Sequence, residues 1–153
     1  DLARGIGMDG YPGPLAQVLS YLLANAITHG FTPGRTGLVT VSARSAGVDE
    51  AVIFVRDNGK GIPQASLPRV FDPFYTTARG NGCTGLGLHI VHQLVTEVLG
   101  GSIWIESTAL ADRPDALHHG TTVTARLPRI APSIDPLAMQ AAADSLIRAK
   151  GRN

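Results

Sequence analysis

The chain has 153 residues, of which 44% are hydrophobic, and this composition suits one compact domain with a sizeable core. Its 13 basic and 12 acidic side chains nearly cancel, so charge gives no reason to expect nucleic acid or an anionic membrane as a partner. A single cysteine excludes an intramolecular disulfide and a cysteine-based zinc cluster, and no apolar run has the length needed to span a bilayer.

The first predicted element is an amphipathic helix over residues 14–29. Pro14 suits the first helical position, and apolar residues recur at 15, 18, 19, 22, 23, 26 and 27, as on a helix with one buried face. Tyr21, Asn25 and His29 follow one another at intervals of four, so they share a face that borders the apolar stripe. An Asn at that place is costly unless its amide finds a partner, and the alternative is a solvated Asn near the helix end.

Four short stretches have the composition of strands. Residues 38–43, 51–55, 102–107 and 121–127 either alternate between apolar and polar side chains or form short β-branched runs. Together with two predicted helices, they indicate an α/β domain.

A polar, glycine-containing loop at residues 56–62 ends the second strand. Asp57 can accept hydrogen bonds with a charged oxygen, while Gly59 and Gly61 permit positive φ and a close approach by another molecule. Taken alone, this loop is equally well interpreted as an ordinary Asn-Gly turn.

A glycine-rich turn precedes the second predicted helix. Apolar residues recur at helical spacing from Leu88 to Val98, so we expect a helix over 86–99 that ends at a Gly-Gly pair. Such a turn at a helix N-terminus binds anions, because the free N–H groups and the helix dipole both favour phosphate. The residues whose backbone is placed to contact phosphate are Gly85, Leu86, Gly87 and Leu88.

The segment 76–84 before this turn is polar, glycine-rich and aperiodic, which predicts a mobile loop. Arg79 is its only charge, and its guanidinium suits a phosphate oxygen as well as it suits solvent. Gly80, Gly82 and Gly85 match the dinucleotide-binding fingerprint, but that motif requires a preceding strand, and a loop precedes it here. We therefore reject a dinucleotide-binding fold.

Five stretches follow one another in an order that resembles the N, G1, F, G2 and G3 boxes of the ATP-binding domain of sensor histidine kinases. One box alone would carry little weight, whereas five in order are specific. The superfamily also includes type II topoisomerases and heat-shock chaperones. The resemblance covers residues 9 to 128, and its five boxes lie at 17–26, 57–61, 71–74, 84–88 and 120–122.

This resemblance implies an α/β fold of the Bergerat type. It is a two-layer sandwich in which helices, including 14–29 and 86–99, cover one face of a mixed β-sheet. Residues 1–130 would form the catalytic domain. Residues 131–153 would form a linker and a helix from Pro136 to about residue 150, with packing, dimerisation and disorder all open as its role.

The cofactors that the resemblance implies are ATP and Mg²⁺. Asn25 corresponds to the magnesium-binding asparagine of the family, and a neutral oxygen beside phosphates suits this hard cation. Asp57 corresponds to the aspartate that recognises adenine, because a carboxylate can accept a hydrogen bond from the exocyclic amine of the base. His29 is either a phosphate contact or a capping residue, and Arg79 joins Asn25 as a catalytic candidate. The other implied nucleotide contacts are Gly59, Gly61, Ile62, Thr84, Gly85, Leu86, Gly87, Leu88 and Thr122.

Tyr21 and Thr28 depart from the family pattern, which often has Asn and Lys at these positions. In the topoisomerase and chaperone relatives, the position of Tyr21 carries a Glu that activates water. Tyr21 lacks that carboxylate, so we expect transfer of the γ-phosphoryl group to a histidine on a separate dimerisation domain instead of hydrolysis. None of the histidines at 29, 89, 92, 118 and 119 lies in a phosphoacceptor motif, which places the acceptor outside this chain.

Two other functions remain open from the sequence: a serine kinase of the anti-sigma type, and a non-catalytic module gated by nucleotide. For a histidine kinase, the resemblance implies an upstream histidine-bearing dimerisation domain, a response regulator reached indirectly, and a homodimeric parent protein. We expect a cytoplasmic domain without contact to nucleic acid or membrane, and leave open whether the parent is membrane-anchored.

Overall fold

Two helices form one layer in the part of the chain that the computed structural model describes, which comprises residues 5–32, 34, 36–77 and 83–133. Helix α1 spans Pro12–Asn25 and continues as a wider, π-helical turn over Ala26–Gly30. Helix α2 spans Gly87–Gln93 and continues in the same way over Leu94–Val98. Both predicted helices are therefore present, and Asn25 is the last α-helical residue before α1 widens.

The second layer is a four-stranded sheet. Its strands overlap the predicted stretches. The first begins one residue later than predicted, and the second extends so that Asp57 is its last residue. A short 3-10 turn over Leu67–Arg69 lies between the second strand and α2. The strands are β1 (Val39–Ala46), β2 (Glu50–Asp57), β3 (Ser102–Thr108) and β4 (Gly120–Pro128).

The strands lie in the order β1-β2-β4-β3, and each neighbouring pair is antiparallel. The two-layer α/β fold is confirmed, but the pairing within the sheet differs from the mixed sheet that we predicted. Because β2 and β3 are both antiparallel to β4, they run in the same direction, with α2 between them in the chain. They do not pair, since β4 lies between them. Among the described residues, the one parallel pairing is an isolated bridge between Asp9 and Ile130.

The core lies between the helices and one face of the sheet. The two-residue period of the strands points Ile53 and Val55 of β2 and Val123, Ala125 and Leu127 of β4 towards the helices. On the helical side the buried residues include Val18, Leu22, Val91 and Val95. The other face of the sheet is more polar; there Arg126 and Glu50 form an ion pair and Trp104 is 41% exposed.

In the described part of the chain, neither helix combines the length and the apolar character needed to cross a bilayer. The predicted C-terminal helix from Pro136 lies outside the described residues, so its prediction stands untested.

Candidate functional site

One cleft of about 920 Å³ lies between the end of α1, the end of β2 and the start of α2. Its volume is within the range of small-molecule sites, about 300–1,000 Å³. The cleft brings together residues from four of the five sequence boxes. The predicted site residues that line it are Asn25, His29, Asp57, Gly61, Ile62, Thr84, Gly85, Gly87 and Leu88.

Asp57 presents a buried carboxylate to this cleft and is 8% exposed. Its Oδ1 accepts hydrogen bonds from the backbone N–H groups of Gly59 (2.8 Å) and Thr121 (3.3 Å). No other described residue donates a hydrogen bond to the carboxylate, so Oδ2 keeps its accepting capacity for a ligand. Burial raises the pKa of Asp57, and the N–H donors of Gly59 and Thr121 oppose that shift.

The two glycines after Asp57 are small because protein backbone packs against them. A Cβ on Gly59 would collide with the Gly30 carbonyl group, and Gly59 is buried outside the cleft lining. Gly59 lets the loop reach Gly30, whose carbonyl accepts a hydrogen bond from Lys60 N at 2.7 Å. Its contact with a nucleotide stays a prediction. Gly61 does line the cleft, with φ +72° and the backbone of Thr108 where its Cβ would lie.

Asn25 lies beside the start of α2. A Cβ added to Gly87 would stand 3.4 Å from Asn25 Oδ1 and 3.5 Å from Nδ2. The Nδ2 atom is buried and has no hydrogen-bond partner among the described residues. A buried amide without a partner costs free energy, so its presence at a cleft wall is typical of a group that a ligand satisfies.

The glycine-rich turn before α2 is shaped by close backbone packing. Gly85 has φ +69°, and its Cβ would stand 2.6 Å from the carbonyl carbon of Phe74. Phe74 itself has φ 64° and is 67% exposed, whereas Phe71 packs its ring 5.2 Å from that of His92. Leu86 is outside the cleft lining and packs against the core, so its side chain serves the fold.

Thr121 occupies the place that we predicted for Thr122. Thr121 is buried and lines the cleft, while Thr122 is absent from the lining and pairs with Arg56 and Glu106 in the sheet. The physical reason is the two-residue period of β4: Thr121 shares the face of Val123 and the core, which puts Thr122 on the opposite face. The alternation was visible in the sequence and was the signal for choosing Thr121.

Two further side chains on α1 and its last turn face the cleft. Tyr21 lines it one helical turn before Asn25, and its Cδ1 would be 3.8 Å from a Cβ on Gly87. His29 also lines it, and its pKa is lowered by burial and then by the positive charge of Lys60. A neutral imidazole at this place can either donate or accept a hydrogen bond.

Part of the predicted mobile loop lies outside the described residues. Arg79 belongs to that part, so its proposed phosphate contact has no test here. The flanking residues Thr76, Thr77 and Cys83 line the cleft. The β3–β4 loop was missed by sequence reasoning because no motif marks it, yet Ala109 and the two residues after it also line the cleft.

The described residues contain no group of three or more His, Cys, Asp or Glu side chains placed to hold one metal ion. This does not count against Mg²⁺, because Mg²⁺ beside phosphates keeps several waters and takes few protein ligands.

Residues 10–131 match the family described as "Histidine kinase-, DNA gyrase B-, and HSP90-like ATPase". Among curated relatives, the sensor histidine kinase ZraS of Salmonella typhi is 44% identical over 96 residues, which are 63% of this chain and 19% of ZraS. The chain thus spans about a fifth of the length of this relative.

Two solved structures share the fold. The mycobacterial sensor histidine kinase MprB is 30% identical with a TM-score of 0.63, over 78% of this chain and 74% of MprB. Full-length ShkA in complex with AMPPNP is 25% identical with a TM-score of 0.60, over 81% of this chain and 23% of ShkA.

Proposed function

We propose a specific reaction for this chain, which belongs to the family of histidine kinase-, DNA gyrase B- and HSP90-like ATPases and contains the ATP-binding catalytic domain of a histidine kinase. The reaction is transfer of the γ-phosphoryl group of ATP to a histidine on a separate dimerisation domain, in two-component signal transduction.

The observation that carries this proposal is the pair of unsatisfied polar groups in one cleft. Asp57 keeps Oδ2 for a donor, and Asn25 keeps a buried Nδ2 atom without a hydrogen-bond partner among the described residues. Adenine has an exocyclic amine that can donate a hydrogen bond to Oδ2, and the phosphate oxygens of a magnesium triphosphate can accept one from Asn25 Nδ2. The AMPPNP complex of ShkA supports an adenine nucleotide as the ligand of this cleft.

At the base end, the chain recognises adenine through Asp57. Its Oδ1 is held by the N–H groups of Gly59 and Thr121, so the carboxylate cannot rotate freely and Oδ2 is directed by the protein before ligand binds. This fixed acceptor favours adenine over guanine, which carries a carbonyl in place of the amine.

At the phosphate end, Asn25 is the side chain that would hold Mg²⁺, through its amide oxygen. Its place beside Gly87 fits this role, because the glycine leaves open the space that a Cβ would take. Bound Mg²⁺ supplies charge neutralisation for the phosphates during transfer. The backbone of the turn at Gly85 and Gly87 and the side chain of Thr84 line the same wall and orient the phosphates. Arg79 is a further phosphate contact in this proposal.

The acceptor is expected outside the chain. Within the cleft, His29 is the one histidine among the described lining residues, and it lies on the helix end beside the proposed phosphate site. His89 Nδ1 donates a hydrogen bond to the Phe71 carbonyl oxygen, and His92 packs on the Phe71 ring, so both have structural contacts. Tyr21 carries no carboxylate to activate water, which favours transfer over hydrolysis.

We therefore place the domain in a homodimeric, cytoplasmic kinase region that carries the histidine on helices upstream of this chain and passes the phosphoryl group to a response regulator. The test is phosphorylation with γ-labelled ATP and Mg²⁺, using this chain alone and this chain joined to the upstream helices of its parent. Only the joined protein should become labelled, and the label should be acid-labile and alkali-stable.

Two control variants make the result specific, and two outcomes would favour other functions. Replacing the upstream histidine with Gln should abolish the label, and Asp57→Asn should reduce it through ATP binding. Acid-stable label on a partner's serine would establish the serine-kinase alternative instead. Rapid ATP turnover by this chain alone would contradict the transfer reaction and favour an ATPase.

A further inference from the structure

Ser107, near the end of β3, makes a set of hydrogen bonds that no sequence box includes. Its Oγ accepts a hydrogen bond from Ile62 N at 2.8 Å and donates one to the Gly120 carbonyl oxygen at 2.8 Å. It also lies 3.0 Å from Thr121 Oγ1. Because a hydroxyl has one proton and two lone pairs, donation to Gly120 leaves Thr121 Oγ1 as the donor to Ser107, and the Ser107 hydroxyl is then fully used.

The carbonyl of Gly120 and the N–H of Thr121 belong to the same peptide unit. This unit is planar and trans, so its C=O and N–H groups point in opposite directions. Ser107 holds the carbonyl end, and Asp57 Oδ1 accepts from the N–H end at 3.3 Å. Orienting one end therefore orients the other.

The position of this peptide unit leaves little room for adjustment. Gly120 has φ +134°, and a Cβ there would stand 2.9 Å from the Asp57 carbonyl carbon. The β2–β4 ladder ends at Arg56 and Thr122, so the Thr121 N–H pairs with the Asp57 carboxylate beyond the last strand pair.

The same Ser107 oxygen holds the other side of the base end. Ile62 follows Gly61 in the loop after Asp57, and both line the cleft. Loss of the Ser107 hydroxyl would thus release the Ile62 N–H and the Gly120–Thr121 peptide together.

We propose that Ser107 is a positioning residue for base recognition: by holding the Gly120–Thr121 peptide and the Ile62 N–H, it sets the orientation of the Asp57 carboxylate towards adenine. This inference rests on the proposed function, because it assigns the base-reading role to Asp57. Ser107 is outside the cleft lining and acts through Asp57 and Ile62.

The experiment compares the affinities of the whole chain for ATP and inosine triphosphate, which has a carbonyl in place of the exocyclic amine. Ser107→Ala should lower the ATP-to-inosine triphosphate affinity ratio roughly fivefold, the effect of one lost hydrogen bond. Ser107→Thr retains Oγ and should restore the ratio. Ser102→Ala is the matched control, because Ser102 is an exposed serine on the same strand, opposite Arg126.

A general loss of folded protein would reduce the binding of both nucleotides equally and would not change the affinity ratio. The inference requires a lower ratio in Ser107→Ala, so an unchanged ratio overturns it. If Ser107→Ala does not fold, Ser107→Cys gives the same comparison, since a thiol fills the site but hydrogen-bonds weakly. Amide exchange without nucleotide adds an independent measurement: the Ile62 and Thr121 N–H groups should lose protection in the Ala variant and keep it in the Thr variant. Failure of the wild-type chain to bind either nucleotide would count against the proposed function, whereas wild-type discrimination that survives Ser107→Ala counts against this inference alone.

Discussion

Asp57→Asn separates ligand recognition from folding at the base end of the cleft. The substitution is nearly isosteric, and the amide oxygen of Asn can still accept hydrogen bonds from Gly59 N and Thr121 N. In the wild type these nitrogens lie 2.8 Å and 3.3 Å from Asp57 Oδ1. The amide nitrogen then takes the place of Oδ2 and presents a donor to the donor amine of adenine. Hydrogen bonds to a charged group contribute about 1.5–3 kcal/mol, so we expect ATP to bind roughly 10- to 150-fold more weakly.

The same variant should be at least as stable as the wild type at neutral pH without nucleotide. Burial raises the pKa of Asp57, so the folded protein holds this proton more tightly than the unfolded chain does. The contribution of this proton to the free energy of unfolding is fully present below the ordinary aspartate pKa of 3.8, and it is lost as the pH rises to the folded-state pKa. Above that pKa, the buried carboxylate imposes a cost that the Asn variant lacks. The stability gain of the variant should therefore grow from acid to neutral pH and then level off.

Titration of a fluorescent ATP analogue and urea unfolding across pH measure the two effects. Asp49→Asn is the matched control, because Asp49 is exposed in the β1–β2 turn and lies outside the cleft lining. Unchanged affinity in Asp57→Asn would refute the assignment of Asp57 as the base reader. A variant that is less stable at neutral pH than in acid, relative to wild type, would refute the argument from burial.

Three further predictions concern the phosphate end and the core. Gly87→Ala should stabilise the start of α2 by about 0.5–1 kcal/mol in urea unfolding. It should also weaken Mg–ATP binding in titration, because the new Cβ would fill the space beside Asn25. Gly85→Ala should instead destabilise the fold, because Gly85 has φ +69° and its Cβ would collide with the Phe74 backbone. Asn25→Ala should lose magnesium-dependent ATP binding and still bind adenosine in calorimetry. It should not lose thermal stability, since the Nδ2 atom that it removes has no hydrogen-bond partner among the described residues. Leu127→Ala should cost about 2–5 kcal/mol of unfolding free energy, because Leu127 is 1% exposed in the core.

Each of these has an outcome that would count against it. Gly87→Ala with unchanged Mg–ATP affinity would remove that glycine from the phosphate site. Equal loss of adenosine and ATP in Asn25→Ala would indicate a structural role for the amide. A small effect of Leu127→Ala would place the core away from the helix-facing side of β4.

The sequence by itself determined the elements and the kind of site. Apolar residues at helical spacing from position 15, and again from Leu88, reflect one buried face of each helix. This periodicity can be recognised in the sequence without knowing which layer packs against the helix. The order of the boxes at Asn25, Asp57 and the Gly85–Gly87 turn resembles that of sensor histidine kinases, and this resemblance indicated an ATP-binding domain, because each box is a short segment that can be recognised without the tertiary structure.

Tertiary structure alone decided how these segments meet. The insertion of β4 between β2 and β3 is a pairing between distant segments, and nothing in either strand's own pattern specifies its neighbour. The contact between Gly59 and the Gly30 carbonyl group, at the end of α1, leaves no space for a side chain on Gly59, and the residues around Gly59 do not predict that contact. Ser107 appears in no motif, and its place at the Gly120–Thr121 peptide exists only because β3 and β4 pair in one register. Contacts of this kind depend on where distant parts of the chain are placed, which local residue patterns do not encode.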